Sequence, residues 1–203
     1  MKRGGDGEAT VAELEATMGR VGAFPWTRGT RDAALWLQLT AGIYTAAIGG
    51  NDDSSGVALV EAYDANSPAG SSLANLWVRA QVGSGNGLLV GGLTVGGEGS
   101  VRLLVRAVGP GLEAFGVLDT LVDPQLRVMR GLVELASNDD WDMLSVVGMQ
   151  LVQAAELVGA FPLRTGSGDA AIVVELVAGG YTLQVSGADG GTGVALLEIY
   201  VLP

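Results

Sequence analysis

The sequence contains no cysteine and no histidine, and its only lysine is Lys2. These absences exclude disulfides, thiol nucleophiles, zinc sites built on nitrogen or sulfur ligands, and histidine-based acid–base catalysis. The phosphate-binding motif G-x-x-x-x-G-K-[ST] and the G-x-S-x-G nucleophile motif are also missing. Paired carboxylates are therefore the acid–base option that remains.

Basic residues are scarce. Eleven Lys and Arg stand against 22 Asp and Glu, so the formal net charge is −11 and the isoelectric point is about 4.2. Such a chain repels phosphate backbones and anionic lipid headgroups, which argues against nucleic acid or a membrane surface as a partner. No apolar segment follows the charged start, so no signal peptide is visible. The apolar stretch 143–163 contains Glu156, which favours a buried helix over a membrane span.

Apolar residues and glycine dominate what is present. Hydrophobic residues make up 48% of the chain and charged residues 16%, with 33 glycines that follow no G-X-Y period. This composition excludes a disordered or collagen-like chain. It predicts a mainly β fold of many short strands joined by tight turns.

An internal duplication is the strongest signal. Residues 21–63 align without a gap with residues 158–200, at a constant offset of 137, and 22 of the 43 positions are identical. Agreement of this extent indicates a duplicated structural unit. We name the duplicated parts C modules and the unduplicated part between them the N module. The predicted boundaries are 1–66 for the first C module, 67–140 for the N module and 141–203 for the second C module, so that 67–203 is one complete unit.

Each C module is predicted to open with one short helix and to continue with three strands. The first helix is expected over 8–21 with Asp6 as its N-cap, and the second, more buried one over 143–158 with Asp142 as its N-cap. The predicted strands are 33–39, 43–49 and 56–63 in the first C module, and 170–176, 180–186 and 193–202 in the second.

The N module is predicted to be nearly all β, with a helical turn near 112–115. The glycine clusters 83–87 and 96–99 are typical of hairpin connections. Some ten strands and two helices indicate a β-sandwich or jelly-roll-like fold. The predicted strands are 73–82, 87–95, 101–108 and 126–136.

Long motifs run through all three modules. They are LVRAVGPGL at 104–112, DPQL at 123–126 and ASNDDW at 136–141, with VGAFP, AGxYT and GVALxExY in both C modules. The pattern resembles a tandem β-rich repeat of large exported bacterial proteins without an assigned activity. That resemblance implies export, a tandem arrangement and a role other than catalysis, and it provides no catalytic residue. The motif LxAGxYT is more weakly similar to small β-sandwich modules appended to secreted peptidases.

The candidate chemical groups are acidic. Asn138, Asp140 and Asp142 alternate beside Asp139 and Trp141, and alternating oxygen ligands can converge on calcium. Helix capping is the preferred interpretation, because Asp140 and Asp142 directly precede a predicted helix. Carboxylates near an aromatic ring can also hydrolyse glycosides, which is the least favoured alternative. Asp52, Asp53 and Asp189 mark matching turns in the two C modules.

Three other groups of residues are candidate binding sites. The loop Gly83–Gly87 is interpreted as a turn between strands and not as a phosphate site. Arg79, Arg102 and Arg106 are interpreted as sheet residues facing solvent or an acidic partner, with an anionic ligand as the alternative. Packing is expected of the tryptophans, which are Trp26, Trp36, Trp77 and Trp141.

Together these observations predict a non-catalytic extracellular or cell-surface structural protein with no catalytic, cofactor or metal site. Its partner is expected to be itself, because the first C module lacks an N module and would leave an apolar face uncovered. Head-to-tail docking would then build a filament, unless its rotation closes a ring. The alternative is that the chain closes on itself, with both C modules packed on the single N module. The alternative function is a carbohydrate- or calcium-binding accessory module.

Overall fold

The structure, a computed structural model, describes residues 10–25, 29–30, 32–50, 54, 56–65 and 74–203. The chain divides into two compact units, Met1–Leu73 and Ala74–Pro203. Among the described residues, helices are too short or too polar to cross a lipid bilayer.

The second unit is a six-stranded antiparallel sheet in the order β1-β6-β2-β5-β3-β4. The prediction of a mainly β, sandwich-like fold is confirmed. The strands are β1 (Asn75–Val82), β2 (Leu89–Val108), β3 (Pro124–Arg130), β4 (Val133–Asn138), β5 (Ala170–Gly187) and β6 (Gly193–Val201).

Two long strands, β2 and β5, each run through both layers of the sandwich. In β2 the register with β5 shifts between Val95 and Ser100, in a stretch rich in glycine. Before the shift, β2 pairs with the later part of β5, which also pairs with β3. After it, β2 pairs with β6 and with the early part of β5. The four strand segments of the second group, β1 included, form what we call the helix-side layer, and those of the first group, with β4, form the far layer.

The main core fills the space between these two layers. Gly91 of the far layer packs so closely on the helix-side layer that a Cβ atom there would lie 2.7 Å from Leu197 Cδ2. Alternate side chains of each strand point into this core, as the two-residue period of a strand requires. Its buried members include Val82, Leu89, Leu103, Val105, Leu126, Val128, Ile172, Tyr181, Leu183, Val185, Leu197 and Ile199.

Helix α2 (Val146–Leu157) covers the outer face of the helix-side layer. It buries Gly148, Leu151 and Ala154, and most of its other apolar side chains are exposed. The predicted cap is wrong: Ser145 is the N-cap, and its hydroxyl accepts a hydrogen bond from the Gly148 amide at 2.9 Å. Asp142 instead accepts from the Leu144 amide in the turn before the helix, at 2.9 Å.

Strand boundaries in the second unit differ from the prediction where glycine was interpreted as a turn. The clusters around Gly97 and Gly179 are bends inside β2 and β5, so four predicted strands are two long ones. The turn at Gly83 joins β1, in the helix-side layer, to the first part of β2, in the far layer, and the two strands do not pair with each other. Conversely, the predicted strand 126–136 is a hairpin that turns at Gly131, where φ is 59°. The helical turn predicted near 112–115 is observed as the 3-10 helix Pro110–Phe115.

The strands of the N module and the second C module alternate in the sheet. Strand β6 lies between β1 and β2, and β5 lies between β2 and β3, so both C-module strands bond only to N-module strands. Every ladder partner of the second C module is therefore in the N module.

In the first unit the predicted helix is observed as α1 (Val11–Val21). Thr10 is its N-cap and forms a reciprocal capping box with Glu13. Asp6, the predicted cap, lies outside the described residues. The three strands predicted over 33–63 are wrong, because no strand occurs among the described residues 32–50 and 56–65. The strand pairing of the second C module explains this, since its two strands never pair with each other.

Candidate functional site

Charged side chains that are buried among the described residues all lie in the second unit. They are Arg106, Asp169 and Glu198, which are no more than 1% exposed. A buried charge requires partners, so these residues identify the polar sites that the fold has built.

The first of these sites is an ion pair between β2 and β6. Arg106 Nε donates to Glu198 Oε2 at 2.6 Å, and Nη2 of the same arginine contacts that oxygen. The other carboxylate oxygen accepts from the Tyr200 hydroxyl at 2.9 Å. Arg106 Nη1 donates to the Phe161 carbonyl at 2.6 Å, and the guanidinium carbon lies 4.4 Å from the centre of the Phe161 ring. The charges are thus enclosed by partners and by aromatic surface.

Burial sets the titration behaviour of this site. It raises the pKa of the Glu198 carboxyl group, and the neighbouring Arg106 charge offsets part of the rise. Burial also raises the pKa of the Tyr200 hydroxyl, and the negative charge of Glu198 adds to the effect. A tyrosine in this state holds its proton at neutral pH and acts as a hydrogen-bond donor.

The second site is centred on the Asp169 carboxylate. One oxygen accepts from the amides of Gly109 and Gly111, at 2.9 and 3.1 Å, and so holds the turn between them. The other oxygen accepts from the Ser167 hydroxyl at 2.6 Å. Ser167 in turn accepts from Trp141 Nε1 at 3.2 Å. The carboxylate therefore connects the N-module turn to the loop before β5.

Neither site offers a reactive group to a substrate. Both carboxylates are fully buried and have protein partners on both oxygens. In the described part of the chain, two surface depressions of about 420 Å³ lie elsewhere, one along residues 113–122 and one at Gln153, Glu156 and Leu157 of α2. The two buried carboxylate sites therefore hold strands and turns together.

Two of the three residues proposed as alternating calcium ligands, Asn138 and Asp142, make side-chain hydrogen bonds within the fold. The Asn138 side chain accepts from the Ala171 amide at 2.9 Å and donates to the Asp140 carbonyl at 2.8 Å. Asp142 forms the turn before α2. No group of three or more acidic residues among the described positions is arranged to hold a metal ion.

Asp123 is the centre of a loose acidic cluster. Its pKa is raised by desolvation and by the negative charges of Asp140, Asp139 and Asp189. Its Oδ1 atom is buried and has no hydrogen-bond partner among the described residues. Asp189 occupies the turn after β5 with a left-handed φ of 53°. Asp52 and Asp53, the predicted counterparts in the first C module, lie outside the described residues.

The remaining candidates have separate positions. Arg106 is the buried half of the ion pair, whereas Arg79 and Arg102 are exposed on β1 and β2. Trp141 is buried beside Ser167 and Asp169, and the Trp77 ring lies 6.2 Å from the Tyr200 ring. Trp36 is partly exposed in the first unit, and Trp26 lies outside the described residues.

Asp169 and Glu198 were not singled out from the sequence. A signal for them existed: both are acidic residues next to or within apolar strands, and both are identical in the two C modules, as Asp32 and Glu61. A carboxylate within an apolar strand indicates a buried pair when the strand is covered on that face.

Comparison with known proteins shows a weak structural similarity. No family model and no curated protein matches the chain. Among solved structures, it is similar to the pre-peptidase C-terminal domain of collagenase from Bacillus anthracis. The identity is 11% over 62% of this chain and 88% of that domain, with a TM-score of 0.37. A similarity of this size identifies neither a family nor a function.

Proposed function

We propose that the chain is a non-catalytic extracellular structural protein whose subunits associate head to tail into a surface fibre. The observation that carries this proposal is the exposure of the first C module. Apolar residues that have buried counterparts in the second C module are exposed there: Leu39 is 53% exposed and Leu176 2%, and Val60 is 53% exposed and Leu197 1%. An exposed apolar surface of this kind is typical of an interaction site.

The polar groups support a structural role. Arg106, Asp169 and Glu198 are all used to hold strands and turns of the second unit. Extracellular location rests on the resemblance of the long motifs to an exported repeat.

Strand β1 is the acceptor that suits a head-to-tail contact. It is one of the two edges of the sheet, and it exposes Leu76 and Trp77. The other edge, β4, also exposes apolar residues, Val133 and Leu135, but its Glu134 lies 3.7 Å from Arg127 in an ion pair that adds charge to that edge. An extended apolar segment can add to an open edge through main-chain hydrogen bonds. Because donor and acceptor are different surfaces, the contact repeats from subunit to subunit.

Sedimentation velocity and negative-stain images of the full chain test this proposal. We expect concentration-dependent species larger than one chain, and we expect Leu59→Glu in the first C module to shift them toward the monomer. Leu132→Glu is the matched control, because Leu132 is fully exposed at the β3–β4 turn and gains the same charge. A chain that stays monomeric at high concentration would contradict the proposal.

The alternative is a carbohydrate- or calcium-binding accessory module. The acidic cluster around Asp123 is the feature that favours it, because carboxylates raise one another's pKa where a cation would relieve their repulsion. Titration calorimetry with calcium chloride and with a panel of polysaccharides decides between the two. Saturable binding of either ligand by a monomeric chain would favour the accessory module.

A further inference from the structure

The first C module contains the same buried-type polar residues as the second but lacks the N-module partners that those residues bind. In the second C module, Glu198 pairs with Arg106, and Asp169 accepts from Gly109 and Gly111. All three partners belong to the N module. Their counterparts in the first C module, Glu61 and Asp32, are exposed.

Local hydrogen bonds are already the same in both C modules. The Tyr63 hydroxyl donates to Glu61 at 2.9 Å, as the Tyr200 hydroxyl donates to Glu198 at 2.9 Å. The Tyr44 hydroxyl donates to the carbonyl four residues earlier at 2.9 Å, and Tyr181 does the same at 2.7 Å. These two tyrosine hydrogen bonds of the first C module thus match those in the sandwich of the second unit.

The strand pairing of the second C module shows which partners the first C module needs to form the same sandwich. Strands β5 and β6 have every ladder partner in β1, β2 or β3. The equivalent residues 32–50 and 56–65, which we call the donor segment, therefore need strands of the N-module type. An open sheet edge supplies one such strand, but it supplies no arginine at the position of Arg106 and no Gly109–Gly111 turn.

Residues 1–203 contain two C modules and one N module, and the second C module fills that N module. We propose that the donor segment binds a second, vacant N module, in the place that residues 169–202 hold on the N module of residues 67–140. Glu61 would pair with the arginine of that module, and Asp32 would accept from its Gly-x-Gly amides. The proposal goes beyond edge-to-edge self-association by naming a preferred partner.

The chain's lack of cysteine allows a direct test by disulfide capture. Arg79 on β1 is exposed, and its Cα partner across the ladder is Leu196 of β6. Leu59 is the counterpart of Leu196 in the donor segment. Opposed residues of an antiparallel pair lie within the Cα distance that a disulfide spans. Full-length chain with Arg79→Cys is refolded under oxidising conditions with an excess of a peptide of residues 29–65 carrying Leu59→Cys.

A reference peptide of residues 166–202 with Leu196→Cys fixes the peptide concentration used in the comparison. Its concentration is raised until it displaces the chain's own β6 and is captured. Under those conditions we expect capture of the 29–65 peptide as well. Glu61→Leu in that peptide should lower the yield at least about tenfold, because it leaves the buried arginine without its partner. Asp64→Ala is the control, since the counterpart of Asp64 is Val201, which is 46% exposed, and its yield should not change.

Capture of the reference peptide without capture of the 29–65 peptide would overturn the inference. Equal capture of the Glu61→Leu peptide would overturn it too, because the contact would then not use the arginine. The result is separable from the proposed function. A chain that is monomeric without peptide but captures it contradicts only the fibre, and a fibre-forming chain that captures nothing contradicts only this inference.

Discussion

Arg106 and Glu198 are 92 residues apart in the sequence and form a buried ion pair between the neighbouring strands β2 and β6. One residue belongs to the N module and the other to the second C module. The pair therefore joins the two halves of the unit at a point where their strands alternate. Each charge is costly to bury without the other, so strand arrangements that separate the two residues are disfavoured.

Breaking this pair should destabilise the second unit strongly. We expect Arg106→Leu to lower the free energy of unfolding by about 3–5 kcal/mol, because Glu198 is left buried without its cation. The double variant Arg106→Leu/Glu198→Leu should be more stable than Arg106→Leu alone, since no uncompensated charge remains. Urea unfolding of the four members of this double-mutant cycle provides the measurement.

Arg102→Leu is the matched control for that cycle, because Arg102 is on the same strand but exposed. Its effect should stay within about 0.5 kcal/mol. If Arg106→Leu and Arg102→Leu lower the free energy of unfolding equally, the buried arginine contributes no more to stability than an exposed one.

Asp169 should be needed for the turn between Gly109 and Gly111. Asp169→Ala removes the acceptor of two amides and of the Ser167 hydroxyl. Each buried donor left without a partner costs about 1–3 kcal/mol, so we expect a loss of several kcal/mol in the free energy of unfolding. Asp139→Ala, at an exposed position, is the control. A small loss for Asp169→Ala would mean that water replaces the carboxylate.

Gly109 should tolerate no side chain. A Cβ atom there would lie 1.9 Å from the Leu121 carbonyl oxygen, which is backbone and cannot move aside cheaply. We expect Gly109→Ala to destabilise the chain by about 3 kcal/mol or more. Gly92→Ala is the control, since a Cβ atom at Gly92 meets nothing within 4 Å. Thermal unfolding followed by circular dichroism would reveal the difference, and similar midpoints for the two variants would contradict the packing at Gly109.

Several features could be predicted from the sequence because they depend on local patterns. The runs of Val and Leu indicated a mainly β fold. The helical turn after Gly109 followed from its proline and glycine. These features need only nearby residues.

Other features could not be predicted because they depend on which strands pair. Gly179 looks like a turn residue in the sequence, yet it lies at a bend inside β5 that passes from one layer to the other. The strands expected around Leu35 and Leu59 do not form, because their counterparts bond only to N-module strands. Glu198 does not stand out in the sequence, because its partner Arg106 lies 92 residues away and only the pairing of β2 with β6 places the two opposite each other.

The Asp123 carboxylate should oppose folding when it is ionised. Desolvation and the charges of Asp140, Asp139 and Asp189 raise the pKa of Asp123 above its unfolded value. A carboxyl group with a raised native pKa favours the folded state when it is protonated. Its ionisation opposes folding as the pH rises through that native pKa. Asp123→Asn should therefore raise the free energy of unfolding near neutral pH, by up to about 1 kcal/mol at this partly exposed position.

This gain should disappear below the ordinary aspartate pKa of about 3.9, where both forms of the chain carry an uncharged side chain. Urea unfolding of the two proteins from pH 7 down to pH 3 measures the difference at each pH. Glu156→Gln on the exposed face of α2 removes one negative charge elsewhere and controls for net charge. If Asp123→Asn destabilises the chain equally at every pH, the buried Oδ1 atom serves as a hydrogen-bond acceptor. The acidic cluster would then not be a source of strain.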